Sequence, residues 1–419
     1  MTNSTPKLAA NSWRRTFAVI FTGQLFSILT SSMVQFAVLW HLAETTGSAA
    51  VLLIAGLAAL LPQGLLGPFV GVWIDRWNRK ATMIAADGAI ALFSLLLGIY
   101  FYLGDPALPV VYSILAIRSA ASAFHAPAFQ AAIPLIAPED QLTRVAGWQQ
   151  MVLSASSVAG PALGIAVYSA SSLGTVLLLD VGGALFANLM LLLVHIPRQR
   201  RSAGEVETPA FFREFARGWQ AFVAVKPIVL LSLVAIAFSI VFMPLAMLFP
   251  LMTLEHFGLG GYAASLVEAA FGIGMIAGGA ALAIFAGKLG DAAFFSLSLL
   301  LIGISCLLSG TLPQSAFAGF VALSLLMGAA VPLYNGPYMA MIQKAYRPEQ
   351  LGRVISLVTS LTVLSSPIGL AIAGPVVEAY GVQTWFLGAG IAISVLGLLV
   401  AVGVRRFRVL ETGAEPPSE

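Results

Sequence analysis

Five ionisable residues stand inside stretches apolar enough to cross a bilayer: Arg118, Asp87, Asp180, Glu268 and His125. A charge in hydrocarbon is costly, so such residues turn to a polar interior, pair with one another and mark ion or substrate paths. Arg118 stands apart, because it is the only one of the 21 lysines and arginines that a membrane must enclose. Counted from Leu108, it lies about 15 Å along its helix, too deep to reach either surface easily. It either faces a cavity or forms a structural ion pair.

A carboxylate in low-dielectric surroundings is a candidate for exchanging protons. Asp87 lies near the start of its segment and reads as support for the basic loop before it. Glu268 is the preferred proton carrier, with Asp180 next; both sit toward the opposite ends of their segments. His125 follows Arg118 by seven residues, on a similar helix face, and an unperturbed imidazole titrates near neutrality. It is either a satisfied core histidine or a proton relay. Gln24, Gln35, Tyr334, Asn335 and Tyr338 carry polar groups that need partners in lipid, so they should turn inward as substrate contacts. No P-loop, metal-ligand spacing or nucleophile set accompanies them. That disfavours an enzyme, expects neither metal nor cofactor, and leaves an ion gradient, here a proton gradient, as the energy source.

The elements that position these residues follow from composition. Of 419 residues, 59% are hydrophobic and 9% charged, and mean hydropathy is +0.93. Soluble domains carry about 25% charged residues, so the chain reads as an all-α membrane protein. Twelve apolar segments are long enough to span: 16–41, 48–73, 80–103, 107–133, 144–169, 174–195, 227–254, 261–286, 292–311, 314–342, 354–378 and 383–404. The first follows Arg14 and Arg15 and is too long for the apolar core of a leader peptide. With these spans, the other 20 basic residues fall on one side. The opposite loops hold only His41, Glu44, Asp105, Glu255, His256 and Glu378. The positive-inside rule then places both termini in the cytoplasm. The net charge of +3 reflects this topology rather than nucleic-acid binding. The lone Cys306 lies in an apolar run and reads as a small core residue.

The organisation expected is a six-helix bundle over 1–195, a linker over 196–226, a second bundle over 227–405 and a tail over 406–419. In the linker, Phe211, Phe215, Trp219 and Phe222 recur at helical spacing among charges, as in an interfacial amphipathic helix. The halves repeat. Pro127 and Pro337, Pro138 and Pro348, and Glu139 and Glu349 each stand 210 positions apart. Such repeats place a site between two bundles near the membrane midplane.

Three motifs carry a resemblance. Gly71-Val-Trp-Ile-Asp75-Arg76-Trp-Asn-Arg79-Lys80 follows the second span. Leu115-Ala-Ile-Arg118-Ser-Ala-Ala-Ser122 lies in the fourth, and Gly160-Pro161-Ala-Leu-Gly164 in the fifth. Together they resemble the major facilitator superfamily. The first matches its loop pattern G-x-x-x-D-[RK]-x-x-[RK]-[RK] without the glycine near Asn78. The second keeps only the arginine of R-x-x-Q-G. The third matches the G-P-x-x-G associated with exporters. The stretch FHAPAFQAAIPLIAPEDQLTRV is similar to the macrolide-efflux and siderophore-exporter branch.

The resemblance implies twelve helices in two pseudo-symmetric bundles. Gly71, Asp75, Arg76, Arg79 and Lys80, with Asp87 beside them, would form a conformational latch. Gly160, Pro161 and Gly164 would form a packing motif. It implies export of an amphipathic small molecule (a drug such as a macrolide, or a siderophore) by proton antiport with alternating access, in a bacterial cytoplasmic membrane. The partners expected are that substrate, protons and lipid, with no nucleic acid and a monomeric chain. Import or facilitated passage of a nutrient or lysolipid-like molecule is the alternative, and a non-transporting receptor a more remote one.

Overall fold

The computed structural model describes residues 12–74, 77–138, 141–196, 211–285, 289–346 and 348–411. Within them the regular elements are helical. They are α1 (Ser12–Thr46), α2 (Ala49–Ile74), α3 (Arg79–Leu103), α4 (Leu108–Ile136), α5 (Leu142–Ala170), α6 (Leu173–Leu193), α7 (Phe211–Ala224), α8 (Lys226–Leu251), α9 (Gly261–Phe285), α10 (Asp291–Thr311), α11 (Phe317–Ala345), α12 (Pro348–Tyr380) and α13 (Val382–Glu411). A π-helical turn, Met252–His256, extends α8. Among the described residues, eleven helices are long and apolar enough to cross a membrane. Helix α5 adds a shorter apolar stretch, Ala155–Ala170.

The helix ends follow ordinary capping chemistry. Asn78 accepts from the Ala81 backbone N–H at the start of α3, and Ser172 accepts from that of Thr175 at the start of α6. Each side chain satisfies a donor that the first helical turn leaves free. Helices α4, α5, α8, α11 and α12 carry interior prolines. A soluble helix rarely tolerates these, but in a spanning helix neighbouring groups satisfy the carbonyls that proline leaves free.

The chain divides into two compact units. One comprises Met1–Leu42 with Ile54–Val206, and the other Ala43–Leu53 with Glu207–Glu419. The first centres on Trp13, Phe17, Ile20, Met83, Phe129 and Ile133, with Phe17 against Trp148 at 5.5 Å between ring centroids. The second centres on Phe249, which meets Phe271, Phe320 and Phe386 at 5.8–6.1 Å. In that unit Ser48 Oγ also donates to Glu378 at 2.9 Å.

Apolar side chains gain nothing by leaving lipid for one another, so helices in a membrane associate where small residues let backbones approach. The first unit shows this between α1 and α5. Gly160 lies against Ser32, Gly164 lies against the Met33 backbone, and Ser32 Oγ donates to the Ser156 carbonyl at 3.0 Å. The second unit repeats the seam between α8 and α12. There Gly369 lies against the Ile240 backbone, and Ser239 Oγ donates to the Thr362 carbonyl at 3.1 Å. Ser239 and Ile240 each stand 207 positions after Ser32 and Met33. The internal repeat is therefore a repeat of contacts as well as of residue types.

Helix α7 forms where the Phe/Trp spacing predicts it. Trp219 is exposed and Phe222 buried, and the Tyr346 hydroxyl donates to the Phe222 carbonyl at 3.2 Å. That bond ties the amphipathic helix to the second unit.

Candidate functional site

Asp180 is the hub of the first unit. Its side chain is fully buried in α6, where nothing but specific partners could stabilise a charge. Arg118 Nη1, from α4, reaches Asp180 Oδ2 at 2.6 Å. Ser94 Oγ, from α3, donates to the same oxygen at 2.8 Å, and Ser31 Oγ, from α1, donates to Oδ1 at 2.9 Å. Four helices thus converge on one carboxylate. Glycines make this convergence possible. Gly183 of α6 lies against Thr30 of α1, and a Cβ on Gly98 of α3 would lie 3.3 Å from Leu177 of α6. Arg118 itself is nearly buried, with 11% of its side chain exposed.

A second polar layer lies two turns along the same helices. His125 Nε2, on α4, is 3.3 Å from Asp87 Oδ2, on α3. This is ion-pair distance, but the two atoms lack hydrogen-bond geometry and are otherwise unpartnered. Asn188, on α6, donates to the Ile84 carbonyl of α3 at 3.3 Å, which leaves its Oδ1 unsatisfied. Gln24, on α1, is 1% exposed, and neither of its amide atoms has a partner in the protein.

The expected latch residues are described only in part. Asp75 and Arg76 lie outside the described residues, and Gly71 falls in the last part of α2. Arg79 Nη1 donates to the Ala131 carbonyl at 2.7 Å, and Lys80 Nζ to that of Val194 at 2.7 Å. Both therefore tie the start of α3 to the ends of α4 and α6. Asp87 turns to His125 rather than to these cations. In the second unit Asp291, at the start of α10, meets Lys344 Nζ at 2.7 Å.

Beside α3 lies a cavity of about 710 Å³, lined by Trp77, Asn78, Thr82, Ala89, Ala121 and Phe124 among others. The rings of Trp73, Trp77 and Phe124 stand 5.8–6.1 Å apart and nearly parallel. Alanines at 81, 85 and 89, one helical turn apart, leave the space open.

The second unit holds the aromatic candidates. Tyr334 stacks between Phe238, at 4.5 Å, and Phe295, at 4.9 Å. Tyr338 stacks on Phe295 and shares a 2.9 Å hydrogen bond with Ser232. Asn335 is exposed, as is Gln35 in the first unit, whereas Gln24, Tyr334 and Tyr338 are buried. Glu268 is half-buried in α9. Two histidines at helix ends have partners: His41 meets the Tyr168 hydroxyl at 3.0 Å, and His256 meets the Leu312 carbonyl at 2.8 Å. Cys306 is buried, with its thiol 3.3 Å from the Met327 sulfur. Among the described residues, no cluster of His, Cys, Asp and Glu could hold a metal ion.

Residue-type reasoning passes over Ser31, Ser94 and Asn188. The signal for Ser94 was present in its seven-residue spacing from Asp87, which puts both on one face of α3.

Two units of apolar helices, with Arg118 and Asp180 paired inside the first, define a multi-pass membrane protein of transporter type. The chain belongs to the Major Facilitator Superfamily, whose model matches residues 20–292 and 245–418. It is a transporter rather than an enzyme. It is 37% identical to macrolide efflux protein A of Streptococcus pyogenes over 389 residues, covering 93% of this chain and 96% of that one. It is 38% identical to macrolide efflux protein A of Enterococcus faecalis over 324 residues, covering 77% of this chain and all of that one. The multidrug efflux pump Tap of Mycobacterium tuberculosis is 24% identical over 394 residues, 89% of each chain. Among solved structures, a point mutant of the nucleoside transporter NupG superposes with a TM-score of 0.74 at 13% identity, covering 92% of this chain and 99% of that one. A bacterial homologue of the human lysosomal transporter Spinster, inward-facing and unoccupied, gives 0.69 at 15%, covering 98% of this chain and all of that one. At these identities the two structures share the fold.

Proposed function

We propose that the protein exports amphipathic drugs of the macrolide class across a bacterial cytoplasmic membrane, by proton antiport and alternating access. Identity to macrolide efflux protein A across 93% of the chain carries the substrate class and the direction. The buried Arg118–Asp180 pair supports the coupling. A proton arriving at Asp180 neutralises the carboxylate and releases Arg118, and the loss of that cross-brace changes the relative stability of two helix arrangements. Re-pairing expels the proton. Glu268 is a second candidate carrier in the other unit. Gln35 and Asn335, exposed on their units, and the tyrosine pair Tyr334 and Tyr338 are the proposed cargo contacts. Twelve spans with both termini cytoplasmic, and a monomer as the working form, complete this reading.

The test uses proteoliposomes of known orientation and radiolabelled erythromycin. Outward movement against its gradient is expected when the pH gradient is imposed, and its loss when nigericin collapses that gradient. Efflux that ignores nigericin would overturn antiport. Uptake alone would overturn export and favour the importer reading.

A further inference from the structure

The two polar layers of the first unit are in register on all four helices. On α1, Gln24 precedes Ser31 by seven residues; on α3, Asp87 precedes Ser94 by seven. On α4, His125 follows Arg118 by seven; on α6, Asn188 follows Asp180 by eight. Helices α1 and α3 run against α4 and α6, so all four displacements point the same way, toward the end of the unit that carries Arg14, Arg79 and Lys80. Two turns correspond to a step of about 10 Å. The helices are in contact at this level too. A Cβ on Gly23 would stand 3.0 Å from Ala187 of α6, and one on Gly88 would stand 3.9 Å from the Asn188 amide.

The layers differ in how they are satisfied. Around Asp180, both carboxylate oxygens have partners. In the lower layer, Gln24 Nε2 and Oε1, Asp87 Oδ2, His125 Nε2 and Asn188 Oδ1 are buried without a hydrogen-bond partner. Five of the six such side-chain atoms described in the first unit fall here; the sixth is Ser156 Oγ. Buried polar atoms of native proteins are hydrogen-bonded to protein or to water. Donors and acceptors clustered in this way are the setting in which ordered water is held.

We propose that Gln24, Asp87, His125 and Asn188 form a hydrated proton-binding site that continues the Arg118–Asp180 pair toward the basic end of the unit. This deepens the antiport reading and rests on it for direction. A proton leaving the Asp180 carboxyl as Arg118 re-pairs passes through water to the Asp87–His125 pair. The pair accepts it on the carboxylate or on Nε2, and later gives it up at the basic end. The cavity along α3 runs from Asn78 to Ala89 and is closed on α4 by Ala121 and Phe124, next to His125. Among the described residues, the charged groups around the pair are few. On α3, Arg79 and Lys80 are bound to carbonyls. Arg118 on α4 and Asp180 on α6 stand two turns away. Helix α1 has no ionisable residue between Arg15 and His41.

Two measurements test this. In proteoliposomes, D87N and H125Q are compared with the parent in erythromycin exchange at equal pH and in accumulation driven by a pH gradient. Exchange needs the moving transporter but no net proton transfer. We expect exchange within twofold of the parent and a loss of driven accumulation of tenfold or more, with D87E recovering part of it. Parental accumulation in both variants overturns the proposal, as does equal loss of exchange and accumulation, which marks a structural role. The second measurement needs no variant beyond an assignment control. The chain has four histidines, so solid-state NMR of 15N-histidine protein in liposomes resolves His125 by difference from H125Q. A water cross-peak to its ring nitrogen is expected, and its absence overturns the proposal. If the parent shows no pH-driven accumulation, antiport itself fails, while the water contact still decides whether the layer is hydrated.

Discussion

Arg118 and Asp180 sit 62 positions apart in the chain and 2.6 Å apart in the fold. The arginine that stood out as the lone enclosed cation is matched, in α6, by a carboxylate enclosed as deeply. Neither is tolerable in hydrocarbon alone, and each accounts for the other. Removing one partner of a buried pair typically costs about 3–5 kcal/mol, because the remaining charge is stranded.

Asp180→Asn should therefore lower the thermal midpoint of the purified protein and abolish pH-driven efflux. Adding Arg118→Met removes the stranded charge, so the double variant should recover most of the midpoint and none of the coupling. Differential scanning fluorimetry with proteoliposome transport checks both. A double variant with parental coupling would take the pair out of the mechanism.

Glu268→Gln ranks the two candidate carriers. If the first unit carries the proton, the substitution leaves pH-driven erythromycin efflux within about threefold of the parent, whereas Asp180→Asn loses it. If the order reverses, the coupling site lies in α9. Full driven efflux by the Glu268→Gln, Asp180→Asn double variant would remove both.

The α1–α5 seam should not accept side chains. A Cβ on Gly164 would stand 2.7 Å from the Met33 carbonyl oxygen, against backbone that cannot yield cheaply. Gly164→Val, and Gly369→Val in the matching α8–α12 seam, should lower folded yield in detergent several-fold by size-exclusion chromatography. Gly182→Val is the control, because nothing lies within 4 Å of its Cβ position.

In the second unit, Tyr338→Phe keeps the stack on Phe295 and strands the buried Ser232 hydroxyl, a loss of about 1–3 kcal/mol. Ser232→Ala added to it should restore part of the stability, since both ends are then apolar. Tyr334→Ala removes a ring from the Phe238–Phe295 stack and should weaken the thermal shift induced by erythromycin at least tenfold in concentration. An unchanged shift would place the cargo elsewhere.

The amphipathic α7 was legible from residue spacing because it has a one-dimensional signature, and aromatic positions four and three apart need no knowledge of the fold. The long apolar helices were legible for the same reason, since length and composition suffice. The partner of Asp87 was not legible. Its place near the basic loop suggested support for that loop, and only the fold shows its carboxylate 3.3 Å from His125 on α4. Gln24, singled out as a cargo contact, is enclosed, while Gln35, eleven residues on, is exposed. Both are glutamines on one apolar helix, and what surrounds each is set by other helices.

By itself the sequence determined the class of this protein, its helices and its family. Hydrophobic burial, the charge cost of hydrocarbon and the internal repeat are written along the chain at short range. Only the tertiary structure decided the pairing of ionisable groups, the meeting of four helices at Asp180 and the second polar layer two turns below. An ion pair forms over a few ångströms between residues dozens of positions apart, and the choice of partner depends on how α1, α3, α4 and α6 pack.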